Sequence, residues 1–139
     1  MNIDSIQNGI VIDHIRAGNA MRIYRFLEMD KLLCQVAVIK NCKSAKMGRK
    51  DIIKIDEDYD VNLDMLGYLD PNVTVSVIKD GTTIHKRKCP LPERIVHVVK
   101  CQNPRCITST EPALPQTFRL VDRESKSYRC IYCDAHMPT

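Results

Sequence analysis

Apolar residues in the first part of the chain follow a strand period and then a helical one. The β-branched run Ile10–Ile15 predicts a strand. Apolar residues then recur at helical spacing, which predicts an amphipathic helix over residues 20–29 with Asn19 at its N-cap. This part of the chain is therefore expected to lay a helix against a sheet.

Two more strands and a second helix are expected next. Residues 32–39 are rich in valine and isoleucine, which predicts a largely buried strand. A basic loop over residues 43–48 separates it from a third strand at residues 50–55. A short helix is expected over residues 62–69, and Asp70–Pro71 ends it.

A hairpin completes the N-terminal pattern. Residues 73–78 and 82–85 predict two strands joined at Asp80-Gly81, a pair that suits a type I′ turn because both positions need positive φ. The order of elements is β-α-β-β-α-β with an extra edge strand. It predicts an α+β, ferredoxin-like (βαββαβ) fold with the helices on one face of an antiparallel sheet.

The stretch Cys89-Pro90-Leu91-Pro92 marks a domain boundary, because closely spaced prolines interrupt helices and β-ladders. We therefore expect an N-terminal domain over residues 1–90 and a small zinc-bound β domain over residues 91–139. With fewer than about 50 residues, the second domain would be marginal without a metal. Its strands are expected over residues 95–99, 118–121 and 128–131.

Four cysteines of this domain have the spacing of a metal site, C-x4-C followed by C-x2-C: Cys101, Cys106, Cys130 and Cys133. Four thiolates suit one tetrahedral Zn²⁺ and leave no open position for water, so the site is predicted to be structural. Four unrelated buried thiols are the alternative, and His136 could in principle replace one ligand. The other cysteines lack paired spacing and are interpreted as free thiols: Cys34, Cys42 and Cys89.

The charge distribution bears on possible partners. The net charge is +4, and residues 91–139 hold seven Lys/Arg and five Asp/Glu, a formal +2 that a Zn²⁺–thiolate centre of charge −2 would cancel. With only 5% aromatic residues, this disfavours the main alternative, a zinc-ribbon protein that binds nucleic acid. The sequence shows no signal peptide and no apolar run long enough to span a membrane, so a cytoplasmic location is expected.

Cations on the third strand suggest a ligand surface on the sheet. By strand alternation, Lys50, Ile52 and Lys54 share one face, whereas Asp51 turns toward the core. Together with Lys86, these side chains could bind a phosphate-bearing ligand with a flat base. A solvated basic edge strand is the alternative.

Catalytic motifs are weak in this sequence. Asp13-His14 could suggest acid–base chemistry, but a dyad needs spatial partners that a sequence does not show. There is no G-x-S-x-G, Walker A or G-x-G-x-x-G motif. An enzyme is therefore the least supported class.

Several stretches together resemble the regulatory chain of aspartate carbamoyltransferase: Val11–Ile15, Met47–Asp51, Ile53–Ile55, Leu91–Ile95 and the four-cysteine pattern. The resemblance spans almost the whole sequence. It implies a non-catalytic subunit with an N-terminal allosteric domain that binds CTP, ATP and related nucleotides such as UTP. It also implies a C-terminal zinc domain that holds the catalytic chain, and regulatory-chain homodimers that bridge catalytic trimers.

The resemblance implies seven nucleotide-binding residues: Asp13, His14, Lys54, Lys86, Ile6, Ser76 and Ile78. Both lysines would meet phosphate or ribose oxygens, Asp13 would orient the ligand, and His14 matches a residue at the phosphate end. The last three would line the base and sugar. The four cysteines match the family's zinc ligands in order and spacing.

Two residues depart from the family pattern. Gly81 stands where the family often has a bulky pocket residue, and His85 replaces a small one. Both could alter which nucleotide inhibits or activates.

Overall fold

Two helices lie against one face of a five-stranded antiparallel sheet in the first of two units, which divide between Pro90 and Leu91. The structure, a computed structural model, describes residues 6–138. The elements of the first unit are β1 Gly9–Arg16, α1 Ala20–Phe26, β2 Val36–Ser44, β3 Gly48–Ile55, α2 Leu63–Leu69, β4 Thr74–Lys79 and β5 Thr82–Lys88.

The sheet order is β2-β3-β1-β4-β5. Its first four strands have the ferredoxin-like order, and β5 is the expected extra edge strand, so the predicted fold class is confirmed. The turn between β4 and β5 has positive φ at both Asp80 (51°) and Gly81 (77°), as a type I′ hairpin requires.

The core lies between the helices and alternate residues of the sheet. Ile10, Ile12, Ile53 and Ile55 are buried on the helix side. The helices bury residues such as Leu66 against them. The opposite side of the sheet, which carries Lys50, Ile52 and Lys54 on β3, is only half-buried, as alternation along β3 predicts. We call this helix-free side the open face.

A β-bulge near the end of β1 changes which side chains point into the core. The register with β3 shifts between Ile12 and Ile15, and His14 adopts a left-handed φ of 58°. The extra residue lets Ile15 point into the core with Ile12, although strict alternation would have placed His14 there.

The observed α1 begins at Ala20, as predicted, but it ends earlier and lacks the predicted side-chain cap. The helix ends at Phe26, and a separate 3-10 turn follows over Met29–Lys31. Asn19 precedes the first helical residue, but its side chain does not cap the helix. Instead, its amide nitrogen donates to the backbone carbonyl of Leu69 at 3.1 Å.

The prediction of β2 was wrong in position and in burial. The strand spans Val36–Ser44 rather than residues 32–39, and it takes up part of the predicted loop. None of its residues is buried, because β2 is an edge strand with only β3 beside it. By contrast, α2 lies within one residue of its predicted bounds. Asn62 precedes it as the N-cap, and its side-chain oxygen accepts a hydrogen bond from the amide of Met65 at 3.1 Å.

The second unit is built on a three-stranded antiparallel sheet, β6-β7-β8. Its strands are β6 Arg94–Val96, β7 Thr117–Asp122 and β8 Ser127–Cys130. Ile95, Phe118 and Tyr128 are buried, and the Tyr128 hydroxyl donates to the carbonyl of Pro92 at 2.6 Å. β6 is shorter than the predicted strand over residues 95–99, because His97 turns the chain with a φ of 61°. Among the helices of residues 6–138, none has the length and apolar character needed to cross a membrane.

Candidate functional site

The four cysteine sulfurs of the second unit converge on one point. The Sγ atoms of Cys101, Cys106, Cys130 and Cys133 all lie within 4.8 Å of one another. The shortest separations are 3.6 Å between Cys101 and Cys133 and 3.7 Å between Cys106 and Cys130. Zinc–sulfur bonds of about 2.3 Å at tetrahedral angles place sulfurs about 3.8 Å apart. The cluster therefore has the size of a four-thiolate metal site and is too wide for disulfides.

Backbone turns hold the cysteines at this spacing. Cys106 ends a turn in which its amide donates to the carbonyl of Asn103 at 3.0 Å. Cys130 ends β8, and its carbonyl accepts the amide of Asp134 at 2.9 Å. That hydrogen bond closes the turn between Cys130 and Cys133, and Asp134 adopts a left-handed φ of 64° where the chain leaves the turn.

Protonation differs among the thiols when no metal compensates their charge. Burial raises the pKa of Cys101 to about 12. Burial also acts to raise the pKa of Cys133, but hydrogen bonds from the side chain of Asn103 and the amide of Ala135 lower it to about 7. Near neutral pH, Cys133 therefore supplies a thiolate more readily than Cys101 does.

His136 lies outside the cysteine cluster. It is exposed and forms a β-bridge with Arg129, and its Nε2 lies 3.4 Å from the guanidinium of that arginine. Among the described residues, the group able to hold a metal ion contains only the four cysteines. The histidine alternative therefore has no geometric support.

Four residues, one on each of four adjacent strands, form one row across the open face. Lys54 on β3 is opposite Val11 on β1, Val11 is opposite Ser76 on β4, and Ser76 is opposite Lys86 on β5. Directly opposed residues point to the same face of a sheet. Three strand spacings of about 4.8 Å separate the two lysine backbones by about 14 Å, with the small residues between them. We call this set the cross-strand row.

Asp13 and Lys50 form an ion pair beside the cross-strand row. The Nζ of Lys50 lies 3.0 Å from Oδ1 of Asp13, and both side chains are half-buried. Burial acts to raise the pKa of Asp13, but the hydrogen bond from Lys50 and the amide of His14 lower it below its ordinary value of 3.8. Lys50 was predicted on this face but was absent from the residues that the resemblance implied, because its pairing with Asp13 depends on sheet register.

The remaining predicted residues lie on neighbouring parts of β1, β4 and the segment before β1. His14 follows Asp13 in the bulge, with its Nδ1 3.2 Å from the hydroxyl of Thr74. Ile78 is opposite Gly9, two residues along β4 from Ser76. Ile6 is buried. The carbonyl of the adjacent Gln7 accepts a hydrogen bond from the amide of Gly81 at 2.9 Å.

Comparison with known proteins gives one consistent result for both units. The sequence profile of the aspartate carbamoyltransferase regulatory chain, allosteric domain, matches residues 1–90. The profile of the same chain's metal binding domain matches residues 93–138. This chain belongs to the family of aspartate carbamoyltransferase regulatory chains.

Similar curated proteins carry the same family name. The aspartate carbamoyltransferase regulatory chain of Clostridium botulinum (strain Hall) is 48% identical over 134 residues, which cover 96% of this chain and 92% of the relative. Those of Bifidobacterium longum (46% identical, covering 96% of each chain) and Clostridium tetani (42% identical, covering 96% and 94%) are also similar. The family-level resemblance is confirmed. The four cysteines lie within the segment that matches the metal binding domain.

Within this regulatory chain, His85 does not share a face with the cross-strand row. It is opposite Val77 and lines a cavity of about 380 Å³ on the helix side, together with Ile10, Val75 and Arg87. None of the seven predicted nucleotide-binding residues lines this cavity. An effect of His85 on a ligand of the open face would therefore have to pass through β5.

Proposed function

We propose that this chain is the non-catalytic regulatory subunit of aspartate carbamoyltransferase and that its first unit, the proposed allosteric nucleotide-binding domain, takes nucleotide effectors on its open face. CTP and ATP are the expected ligands, with UTP as a further candidate. The cross-strand row is the observation that carries this proposal. It places a lysine at each end of a strip whose middle residues, Val11 and Ser76, are half-buried and small enough to leave room for a ligand.

In this proposal each polar residue has a separate task. Lys54 and Lys86 meet phosphate or ribose oxygens, since lysine is a point charge that can follow several anionic geometries. Asp13 accepts hydrogen bonds from the ligand and is kept ionised by Lys50, and His14 lies at the phosphate end. Ile6, Ser76 and Ile78 line the base and sugar.

We further propose that the second unit holds one structural Zn²⁺ through Cys101, Cys106, Cys130 and Cys133. The closed shell of four thiolates would fold the domain without offering a catalytic position. Three of these cysteines are buried, which suits a site that is not open to substrates. The same unit docks the catalytic chain, and regulatory-chain homodimers bridge catalytic trimers in the cytoplasm.

Regulation then follows from differential binding. A nucleotide that binds one quaternary state more tightly than the other shifts the equilibrium between them, by no more than that difference in affinity. The zinc unit would act as a rigid clamp on the catalytic chain, while the first unit senses the nucleotide.

Calorimetric titration of CTP and ATP into the zinc-loaded chain tests the nucleotide site. Lys54→Ala should weaken CTP binding by about tenfold, the effect of about 1.4 kcal/mol. Lys46→Ala removes the same charge from the exposed turn between β2 and β3 and should leave CTP affinity unchanged. Unchanged CTP affinity in Lys54→Ala would count against the assignment.

The metal and partner roles have their own test. Cys130→Ser should unfold the second unit and abolish co-purification with catalytic chains, whereas Lys54→Ala should keep both zinc and assembly. A Cys130→Ser chain that still assembles would exclude the clamp role. Titration of a DNA oligonucleotide under the same conditions tests the zinc-ribbon alternative, which requires tight, salt-sensitive binding of the DNA.

A further inference from the structure

Three consecutive hydroxyl side chains follow Cys106, and only one of them bonds to sulfur. The hydroxyl of Thr108 donates to Sγ of Cys106 at 3.1 Å. Ser109 donates to the carbonyls of Pro104 and Cys106, and Thr110 donates to the carbonyl of Ile107. The bond to sulfur is therefore specific to Thr108, although neighbouring residues have the same functional group.

The Thr108 bond is buried together with its acceptor. Thr108 is 4% exposed and Cys106 is 2% exposed. A buried hydroxyl needs a partner, and a neutral thiol is a weak one. A thiolate is a much better acceptor, because hydrogen bonds to ionised groups are stronger. The pairing thus suits Cys106 in the charged form that metal binding requires.

We propose that Thr108 is a positioning residue of the metal centre. Its hydroxyl donates a hydrogen bond to the Cys106 thiolate, and this bond makes the sulfur a weaker nucleophile. This inference rests on the proposed zinc site. Thr108 would thereby slow the loss of Cys106 from the metal when an electrophile reaches the centre. Cys133 is only half-buried, so it is the ligand more open to attack.

Alkylation by iodoacetamide measures this protection directly. A sulfur lone pair forms the new S–C bond while the C–I bond breaks and iodide leaves, so the thiolate becomes a thioether and the metal loses one ligand. The rate depends on the thiolate character of each cysteine. Peptide mass spectrometry then gives a separate alkylation rate for each of the four cysteines in the zinc-loaded full chain.

Thr108→Val keeps the shape of the side chain and removes the donor. It should raise the alkylation rate of Cys106 by about tenfold, the size expected for losing one hydrogen bond to an ionised group. Thr108→Ser should restore the wild-type rate because it restores the donor. Thr110→Val makes the same change two residues away, where the hydroxyl bonds a carbonyl, and should leave the rate at the wild-type value. An unchanged Cys106 rate in Thr108→Val overturns the proposal.

Cobalt substitution separates this effect from loosened packing. In the Co²⁺-loaded chain, Thr108→Val should shift the sulfur-to-cobalt charge-transfer band to longer wavelength, since the thiolate becomes richer in electrons. An unmoved band overturns the proposal even if alkylation is faster. If Thr108→Val fails to hold metal, Thr108→Ala is judged by the same band. A wild-type chain without zinc would instead overturn the proposed metal centre, so the two failures are distinguishable.

Discussion

The carboxylate of Asp51 accepts the backbone amide of Ala20 at 3.2 Å, at the point where α1 begins. The same carboxylate accepts the amides of Gly18 at 3.0 Å and, from the bulge of β2, of Asn41 at 2.9 Å. Asp51 is completely buried. One side chain of β3 therefore caps α1 and ties it to two strands, the task that the sequence had suggested for Asn19.

Asp51→Asn should destabilise the first unit by about 3 kcal/mol, because buried amides would lose a charged acceptor and one of them would face an NH₂ donor. Urea unfolding followed by circular dichroism measures the change. Asp56→Asn makes the same substitution at an exposed position just after β3 and should change stability by less than about 0.5 kcal/mol. Equal effects of the two variants would refute the anchoring role of Asp51.

Gly67→Ala should destabilise α2, although alanine usually favours a helix over glycine by about 1 kcal/mol. A Cβ on Gly67 would lie 2.3 Å from the carbonyl oxygen of Pro90 and 2.9 Å from that of Cys89. Those atoms belong to the backbone, so they cannot rotate away, and we expect a net loss of about 2 kcal/mol. A higher midpoint of urea unfolding in this variant would contradict the close packing of α2 on the residues 89–90.

Lys86 and Arg87 are neighbours on β5 that point to opposite faces of the sheet. Lys86 belongs to the cross-strand row, whereas Arg87 is opposite Val75 and lines the helix-side cavity. Lys86→Ala should therefore weaken CTP binding by about tenfold, as expected for losing one charged contact to phosphate. Arg87→Ala should leave it within about twofold. Equal losses by calorimetry would place the nucleotide elsewhere than on the open face.

The ion pair of Asp13 and Lys50 should make stability depend on pH in acid. The pKa of Asp13 is lowered in the folded chain, so its contribution to stability is present above the ordinary value of 3.8 and is lost as the pH falls through the lowered value. Asp13→Asn should thus differ from the wild type in unfolding free energy at about pH 6, and the difference should shrink as the pH is lowered below 3.8. A difference that stays constant over this range would mean that the pair contributes nothing through ionisation.

The layers of the fold could be predicted because they depend on the local periodicity of hydrophobic and polar residues. Alternation in β3 assigned Lys54 and Asp51 to opposite faces, and the Asp80-Gly81 pair predicted the hairpin turn. The start of β2 and the bulges of β1 and β2 were missed. They arise from tertiary contacts, such as the hydrogen bond between Asp51 and Asn41, that no local pattern encodes.

The two candidate sites also differ in how far the sequence could predict them. The cysteine cluster could be found from spacing, because each close pair is set by a short turn. The cross-strand row joins β3, β1, β4 and β5, so its alignment depends on the register of three strand pairs. Periodicity suggested only that Lys54 faces away from the core. Lys86 was grouped with it from the charge pattern, Ser76 came from family resemblance, and Val11 was found only from the strand register. The burial of Thr108 against Cys106 had no sequence signal at all.

Removing the metal should unfold the second unit and leave the first intact. The second unit has a small sheet whose buried residues include only a few large side chains, such as Phe118 and Tyr128, so most of its stability should come from ligand bonds. Hydrogen exchange measured after chelation should show loss of protection in β6, β7 and β8, while β1 and β3 keep theirs. Added Zn²⁺ should restore the protection, and Mg²⁺, which prefers oxygen ligands, should not. Protection of β6–β8 that persists in a chain proven free of metal would show that the thiols alone hold the fold.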